Sequence, residues 1–274
     1  MSGALPHLLV QLSDPHITRA GQHLFDRIDT RSAFAQALQR LPTLSGTVAG
    51  VLITGDLCAE GRPEEYAMLR HALADLAVPV HLVAGNHDDR EQLAQAFPEI
   101  ASRCPRLPGN PLCYASDIDR YRLVVLDSSL PAVPYGGLDH AQLDWLEQTL
   151  AAEPARPTLL ALHHPPFASL IARLDRMGLQ RGAPELEAIV RRNPQVERVL
   201  CGHLHRALTV AYAGTVAQCA PSTAHQMDLE FAAEADLKYV MEAPALIAHA
   251  WGAQGALVSH QVPVAPGDGP FAFW

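Results

Sequence analysis

Six short apolar runs recur along the first three quarters of the chain, each closed by a polar or glycine-containing turn. They are residues 8–12 (LLVQL), 50–54 (GVLIT), 80–84 (VHLVA), 123–126 (LVVL), 158–162 (TLLAL) and 198–201 (RVLC). Runs of this length without polar alternation read as strands buried on both faces. Between them the apolar period changes to that of a helix. Asp29 and Thr30 precede Phe34, Ala37, Leu38 and Leu41, the core face of a helix ending near Leu41. Pro63 suits the first helical position, with Glu64 and Glu65 in the first turn and Met68, Leu69, Ala72, Leu73 and Leu76 facing inward. After the third run, Gly85 allows a sharp turn, and Asp88 with Glu91 reads as a capping box for the next helix. Asp139 and Gln142 open a helix that buries Leu143, Leu146 and Leu150, and a further helix covers 184–192. Strands alternating with helices predict an α/β protein with an open sheet.

The remaining stretches carry weaker patterns. Residues 43–50 (TLSGTVAG) read as a loop, and the Pro-rich stretch 98–120 as irregular chain with short edge strands. Residues 167–183 read as a mobile loop over the strand ends. Residues 208–212 and 215–219 form an antiparallel pair around Ala213-Gly214, and 245–250 and 256–261 form two more strands joined by WGAQG.

Composition narrows the class. With 274 residues, 49% of them hydrophobic, the chain can bury a large core. Twenty basic against 29 acidic residues give a net charge of −9, which argues against a nucleic-acid polymer or an anionic membrane as partner. Five scattered cysteines, never in C-x-x-C, suggest no disulfide framework and favour a reducing compartment. The N-terminus lacks a signal-peptide pattern, and no run approaches the roughly 18–20 apolar residues of a membrane span, so a cytoplasmic protein is expected. The outlying count is 14 histidines, which invites a metal.

The chemistry lies in the turns. Asp14, Asp56, Asn86, His163, His203 and His205 all stand within a few residues of the end of an apolar run. In an open α/β sheet those ends converge on one crevice. With His16 they make seven oxygen and nitrogen ligands, more than one ion takes, so two ions with a bridging carboxylate suit them. Two divalent cations and two carboxylates leave a charge of about +2 for an anion, and a two-metal site acidifies bound water, so phosphoester hydrolysis follows. A metal-bound hydroxide makes Ser128 or Ser129 unnecessary as nucleophile; Ser128 is a candidate substrate contact or a strand-end turn. The ligand types suit Fe, Mn, Zn or Co. His164 is divided evenly between a packed residue and a support for its neighbour.

Asp14-x-His16, Gly55-Asp56, Gly85-Asn86-His87-Asp88, His163 and Gly202-His203-x-His205 resemble, in order, the five blocks of the calcineurin-like metallophosphoesterases. Gly61-Arg62-Pro63-Glu64-Glu65-Tyr66, Leu126-Asp127-Ser128-Ser129 and His163-His164-Pro165-Pro166 are similar to bacterial glycerophosphodiesterases and class III cyclic-nucleotide phosphodiesterases. The resemblance implies a two-sheet α-β-β-α sandwich of mixed strands flanked by helices. It implies Asp14, His16 and His205 on one metal, Asn86, His163 and His203 on the other, and Asp56 between them. It gives His87 contact with the substrate phosphate and the leaving oxygen, alongside Asp56 and Asn86 as catalytic candidates, and makes His225 a substrate-side residue. The expected division is a catalytic body over 1–222 and a C-terminal segment over 223–274 that completes the second sheet. The tail aromatics Phe271, Phe273 and Trp274 then suggest a homo-oligomer contact.

The expected reaction is hydrolysis of small phosphodiesters such as cyclic nucleotides or glycerophosphodiesters. The phosphatase branch of the family carries arginines beside the Gly-Asp and Gly-Asn-His blocks. Here Ala84 precedes Gly85, and Leu57-Cys58-Ala59 follows Asp56. The alternatives are a phosphomonoesterase of the same fold and a catalytically silent scaffold, which would lack ligands.

Overall fold

The computed structural model describes residues 5–253 and 255–272. The six apolar runs become β1 (His7–Leu12), β2 (Thr47–Thr54), β3 (Val80–Val83), β5 (Tyr121–Val125), β7 (Thr158–Ala161) and β9 (Val196–Cys201), and between them lie β4 (Tyr114–Ile118), β6 (Gly136–Gly137) and β8 (Leu179–Arg181). The chain continues through β10 (Leu208–Tyr212), β11 (Thr215–Cys219), β12 (Gln226–Met227), β13 (Tyr239–Val240), β14 (Ala245–Trp251) and β15 (Val258–Pro263). The helices are α1 (Thr30–Arg40), α2 (Pro63–Leu73), α3 (Arg90–Ala96), α4 (Pro98–Ala101), α5 (His140–Ala152), α6 (Ala172–Asp175) and α7 (Ala183–Arg192).

One sheet runs in the order β15-β14-β1-β2-β3, the other β10-β11-β9-β7-β5-β4. Strands β1, β2 and β3 are parallel in the first sheet, as are β5, β7, β9 and β11 in the second. Side chains alternate faces along a strand. Leu123, Val125, Leu159, Ala161 and Leu200 therefore pack in the core they share with β1 and β2. Their neighbours Val124, Leu160, Val199 and Cys201 pack under Leu143 and Leu146 of α5 and Ile189 of α7. Phe34 of α1 and Tyr66 and Leu69 of α2 join the core of the first sheet. This is the α-β-β-α sandwich of mixed strands, and it explains why the central strands are apolar without alternation.

Four expectations need correction. Residues 47–50 are strand rather than loop, because parallel pairing with β1 continues down to His7 opposite Thr47. Residues 98–120 do hold an edge strand, β4 at the margin of the second sheet, but they also hold α4 where irregular chain was expected. Residues 167–183 are not a loose loop: Ile171, Leu174 and Leu179 are buried, and the Asp175 carboxylate accepts hydrogen bonds from Ser169 N and Leu170 N. Finally, β14 and β15 extend the first sheet, not the second, since β14 pairs antiparallel with β1. Phe271 is exposed, and Phe273 and Trp274 lie outside the described residues. No helix among the described residues is long and apolar enough to cross a membrane.

His81 on β3 is 1% exposed, and neither ring nitrogen has a partner. Burial, with Arg103 nearby, pushes its pKa from 6.5 down to about 4. The unfolded chain takes up this proton below about pH 6.5 and the folded chain does not, so stability falls as pH drops from there toward 4. At pH 5 the penalty is about 2 kcal/mol. His81→Leu is expected to lose that much less stability than wild type between pH 7 and pH 5 in urea unfolding. Identical losses in the two proteins refute this.

Candidate dinuclear metal centre

The parallel strands of both sheets deliver their C-terminal ends to one edge, where ligands bind in open α/β sheets. Gln11, fully buried on β1, ties the two sheets together there. Its amide nitrogen donates to Thr54 Oγ1 (3.0 Å) and to the Cys201 carbonyl (2.9 Å). The turns then link to each other: Asp14 N donates to the Gly55 carbonyl, His16 N to that of Asp56, and Gly202 N to that of His163. Five residues at these strand ends have left-handed backbone: Asp14, His16, Asp56, His203 and His205, with φ of 50°, 43°, 47°, 70° and 47°. Gly85 serves close approach rather than an unusual φ. A Cβ there would lie 2.2 Å from both the amide nitrogen and Oδ1 of Asp56.

Two groups of side chains result. Asp14, His16, Asp56 and His205 bring their donor atoms within 4.8 Å of one another, as do His163, His164 and His203. His205 Nε2 is 3.1 Å from His16 Nε2 and 3.3 Å from Asp14 Oδ1. His163 Nε2 is 3.2 Å from Asn86 Oδ1, 3.2 Å from His203 Nδ1 and 3.3 Å from Asp56 Oδ1. Asp56 Oδ2 lies 3.6 Å from His16 Nε2, so this carboxylate faces both groups.

Their protonation identifies what such an arrangement needs. His163 Nδ1 faces the Thr54 carbonyl at 2.8 Å and His205 Nδ1 that of His225 at 3.1 Å. A carbonyl only accepts, so those nitrogens carry the ring protons and the Nε2 lone pairs point inward. Lone pairs of nitrogen, amide and carboxylate then converge, and positive charge is required among them. Burial pushes the Asp56 carboxyl up, but the His163 and His87 imidazoles outweigh it and hold it well below the usual range. Burial pulls His163 down, yet the Asp56 carboxylate prevails and raises it to about 10. The metal-free cluster thus captures a proton where a cation fits, and metal binding releases it. The donor set of carboxylate, imidazole and amide fits two divalent ions.

The profile of the calcineurin-like phosphoesterases matches residues 7–207. The chain belongs to that family. This calcineurin-like phosphoesterase is 31% identical over 267 residues to a probable glycerophosphodiester phosphodiesterase GpdQ of Arcobacter nitrofigilis, covering 97% of each chain. It is 33% identical over 226 residues to a 3',5'-cyclic-nucleotide phosphodiesterase of Nostoc sp., covering 80% of this chain and 81% of that one. A dimetal phosphatase from Danio rerio has the same fold, with a TM-score of 0.65 at 15% identity over 95% of this chain and 100% of that one.

Around the phosphoesterase's two groups, the other expected residues fall in different places. His87 is exposed at the mouth. Its Nδ1 donates to the Ala59 carbonyl (2.8 Å), its ring stands edge-on to His16 at 4.7 Å, and Asp56 raises its pKa. His225 packs against His205 at 4.5 Å between ring centroids and touches Phe25 and Tyr239, which stack on each other. Ser128 is fully buried and its hydroxyl lies 2.8 Å from His164 Nδ1, which favours the strand-end reading, with Ser128 holding the His164 ring. His164 itself lies closer to the centre than sequence suggested, with its Nε2 buried and unpartnered beside His163 and His203.

Asp88 does not cap α3. Asp89 does, accepting from Gln92 N. The half-buried Asp88 carboxylate instead accepts from Gly85 N (2.9 Å), Leu57 N (3.0 Å), Cys58 N (3.2 Å) and the Tyr66 hydroxyl (3.1 Å). One side chain therefore staples the turn carrying Asp56 to the turn carrying Asn86. Sequence reasoning noted Tyr66 in its block without finding this role.

Proposed function

We propose that the protein is a two-metal phosphodiesterase acting on small phosphodiesters such as cyclic nucleotides or glycerophosphodiesters. Asp14, His16 and His205 would hold one ion and Asn86, His163 and His203 the other, with Asp56 shared. Ions held there would polarise a phosphoryl oxygen and acidify water. His87, anchored through Nδ1, keeps Nε2 free to donate a proton to the leaving oxygen. His225, beside the first group, borders the substrate side. Five free cysteines and a net charge of −9 suit a reducing, cytoplasmic setting and a small substrate rather than a nucleic-acid polymer.

One observation carries the preference for diesters: the two arginines that follow the Gly-Asp and Gly-Asn-His blocks in sequence, Arg62 and Arg90, are committed elsewhere. Arg90 donates to Asp127 Oδ2 (2.6 Å), to the Gly109 carbonyl and to the Ser129 carbonyl. Arg62 is exposed and paired with Glu60. A monoester dianion usually needs such cationic clamps, whereas a diester monoanion is nearly neutralised by the metals alone. With one metal loaded throughout, kcat/KM for bis(p-nitrophenyl) phosphate is expected to exceed that for p-nitrophenyl phosphate. A tenfold advantage for the monoester, about 1.4 kcal/mol, refutes the diesterase reading and favours a phosphomonoesterase.

A further inference from the structure

A cleft of about 990 Å³ opens from Asn86 and His87 and runs away from the metal groups. Its walls are α3, the segment around Arg106 and Asn110, and the turn at 129–132. The metal chemistry uses none of these walls, yet they are built to hold a shape. From α3, the Arg90 guanidinium binds the other two walls at once, through the Gly109 and Ser129 carbonyls, and the Asp127 carboxylate between them. Asp127, 1% exposed, completes the framework by accepting from Leu112 N (2.9 Å) and Ser129 N (3.0 Å). A cleft pinned this way is preformed, as small-molecule sites usually are. Its volume stands at the upper end of the roughly 300–1,000 Å³ that such sites span, far more than a phosphate with small ester groups fills.

The lining selects the occupant. Arg90 is neutralised by Asp127, and the remaining lining cation, Arg106, is outnumbered by the carboxylates of Glu60, Asp89 and Glu91. A second phosphate is disfavoured there. Carboxylates and the Gln95 and Asn110 amides pair instead with hydroxyl and amide groups. We propose that this cleft receives one ester substituent of the diester, an uncharged, hydroxyl-bearing group of nucleoside size. The proposal rests on the diesterase reading and assigns part of its specificity to α3.

The test compares two substrates with the same leaving group, thymidine 5'-(4-nitrophenyl) phosphate and methyl 4-nitrophenyl phosphate. Wild type is expected to prefer the nucleoside ester by about tenfold or more in kcat/KM. Ala94→Trp, which fills the cleft from α3, is expected to abolish that preference while leaving the methyl ester and the metal content unchanged. Gln95→Trp, on the same wall, serves if Ala94→Trp does not fold. Parity in wild type, or equal losses on both esters in a metal-replete variant, overturns the cleft assignment while leaving the diesterase reading intact. If only p-nitrophenyl phosphate is hydrolysed, the diesterase reading fails by itself. Inhibition of that activity by thymidine, weaker in Ala94→Trp than in wild type, would then still uphold the cleft, and equal inhibition would refute it.

Discussion

Asp56→Ala is expected to lose at least one of two metal ions and to lower turnover by at least about 10³-fold, some 4 kcal/mol of transition-state stabilisation. Asp56 faces both groups, with Oδ1 toward His163 and Oδ2 toward His16. Its Oδ1 also accepts from His87 N (2.9 Å), which fixes the turn that presents Asn86. Residues that merely support metal ligands cost about 10–100-fold in affinity or activity when removed, and loss of a shared ligand must exceed that. Asp56→Asn separates charge from shape: it keeps an acceptor for His87 N and removes the anion. Elemental analysis of the purified variants beside their kinetics makes the measurement. Two ions retained at wild-type affinity in Asp56→Ala would show that Asp56 does not bridge.

His87→Ala is expected to keep both ions and still slow turnover by about 10²–10⁴-fold, the range for a general acid. The ring is held at Nδ1 by a backbone carbonyl and belongs to neither donor group. Its contribution therefore falls on the substrate. A leaving alcohol of high pKa needs the proton and p-nitrophenolate does not, so the loss should shrink as the leaving group improves. Equal losses across a leaving-group series would exclude proton donation and leave only contact with the phosphate.

The sequence made the strands and their polar ends readable because a strand buried on both faces leaves an uninterrupted apolar run. Asp14, Asp56, Asn86, His163, His203 and His205 could be found from that alone. What stayed hidden depended on partners distant in the chain. Asp88 and Asp89 are equally good helix caps by local pattern, and only the arrival of Leu57 and Tyr66 makes Asp88 the staple. Residues 47–50 look like a turn until β1 lies beside them. The choice of sheet for β14 rests on pairing with β1, more than 230 residues earlier. Ser128 and His164 stand at strand ends like the ligands, and nothing local reveals that they face each other. The cleft is built largely from irregular chain, where periodicity is silent.

The left-handed backbone at Asp14, His16, Asp56, His203 and His205 has an evolutionary consequence. A side-chain-bearing residue in that region costs on the order of 1 kcal/mol, and glycine or asparagine much less. Replacing His16 or His203 by glycine therefore removes a donor and relieves backbone strain in the same step. The relief offsets part of the cost of the cavity that the buried imidazole leaves. A duplicated copy released from selection for turnover would shed these histidines and keep its sandwich, which gives inactive binding proteins of this architecture a direct route of descent.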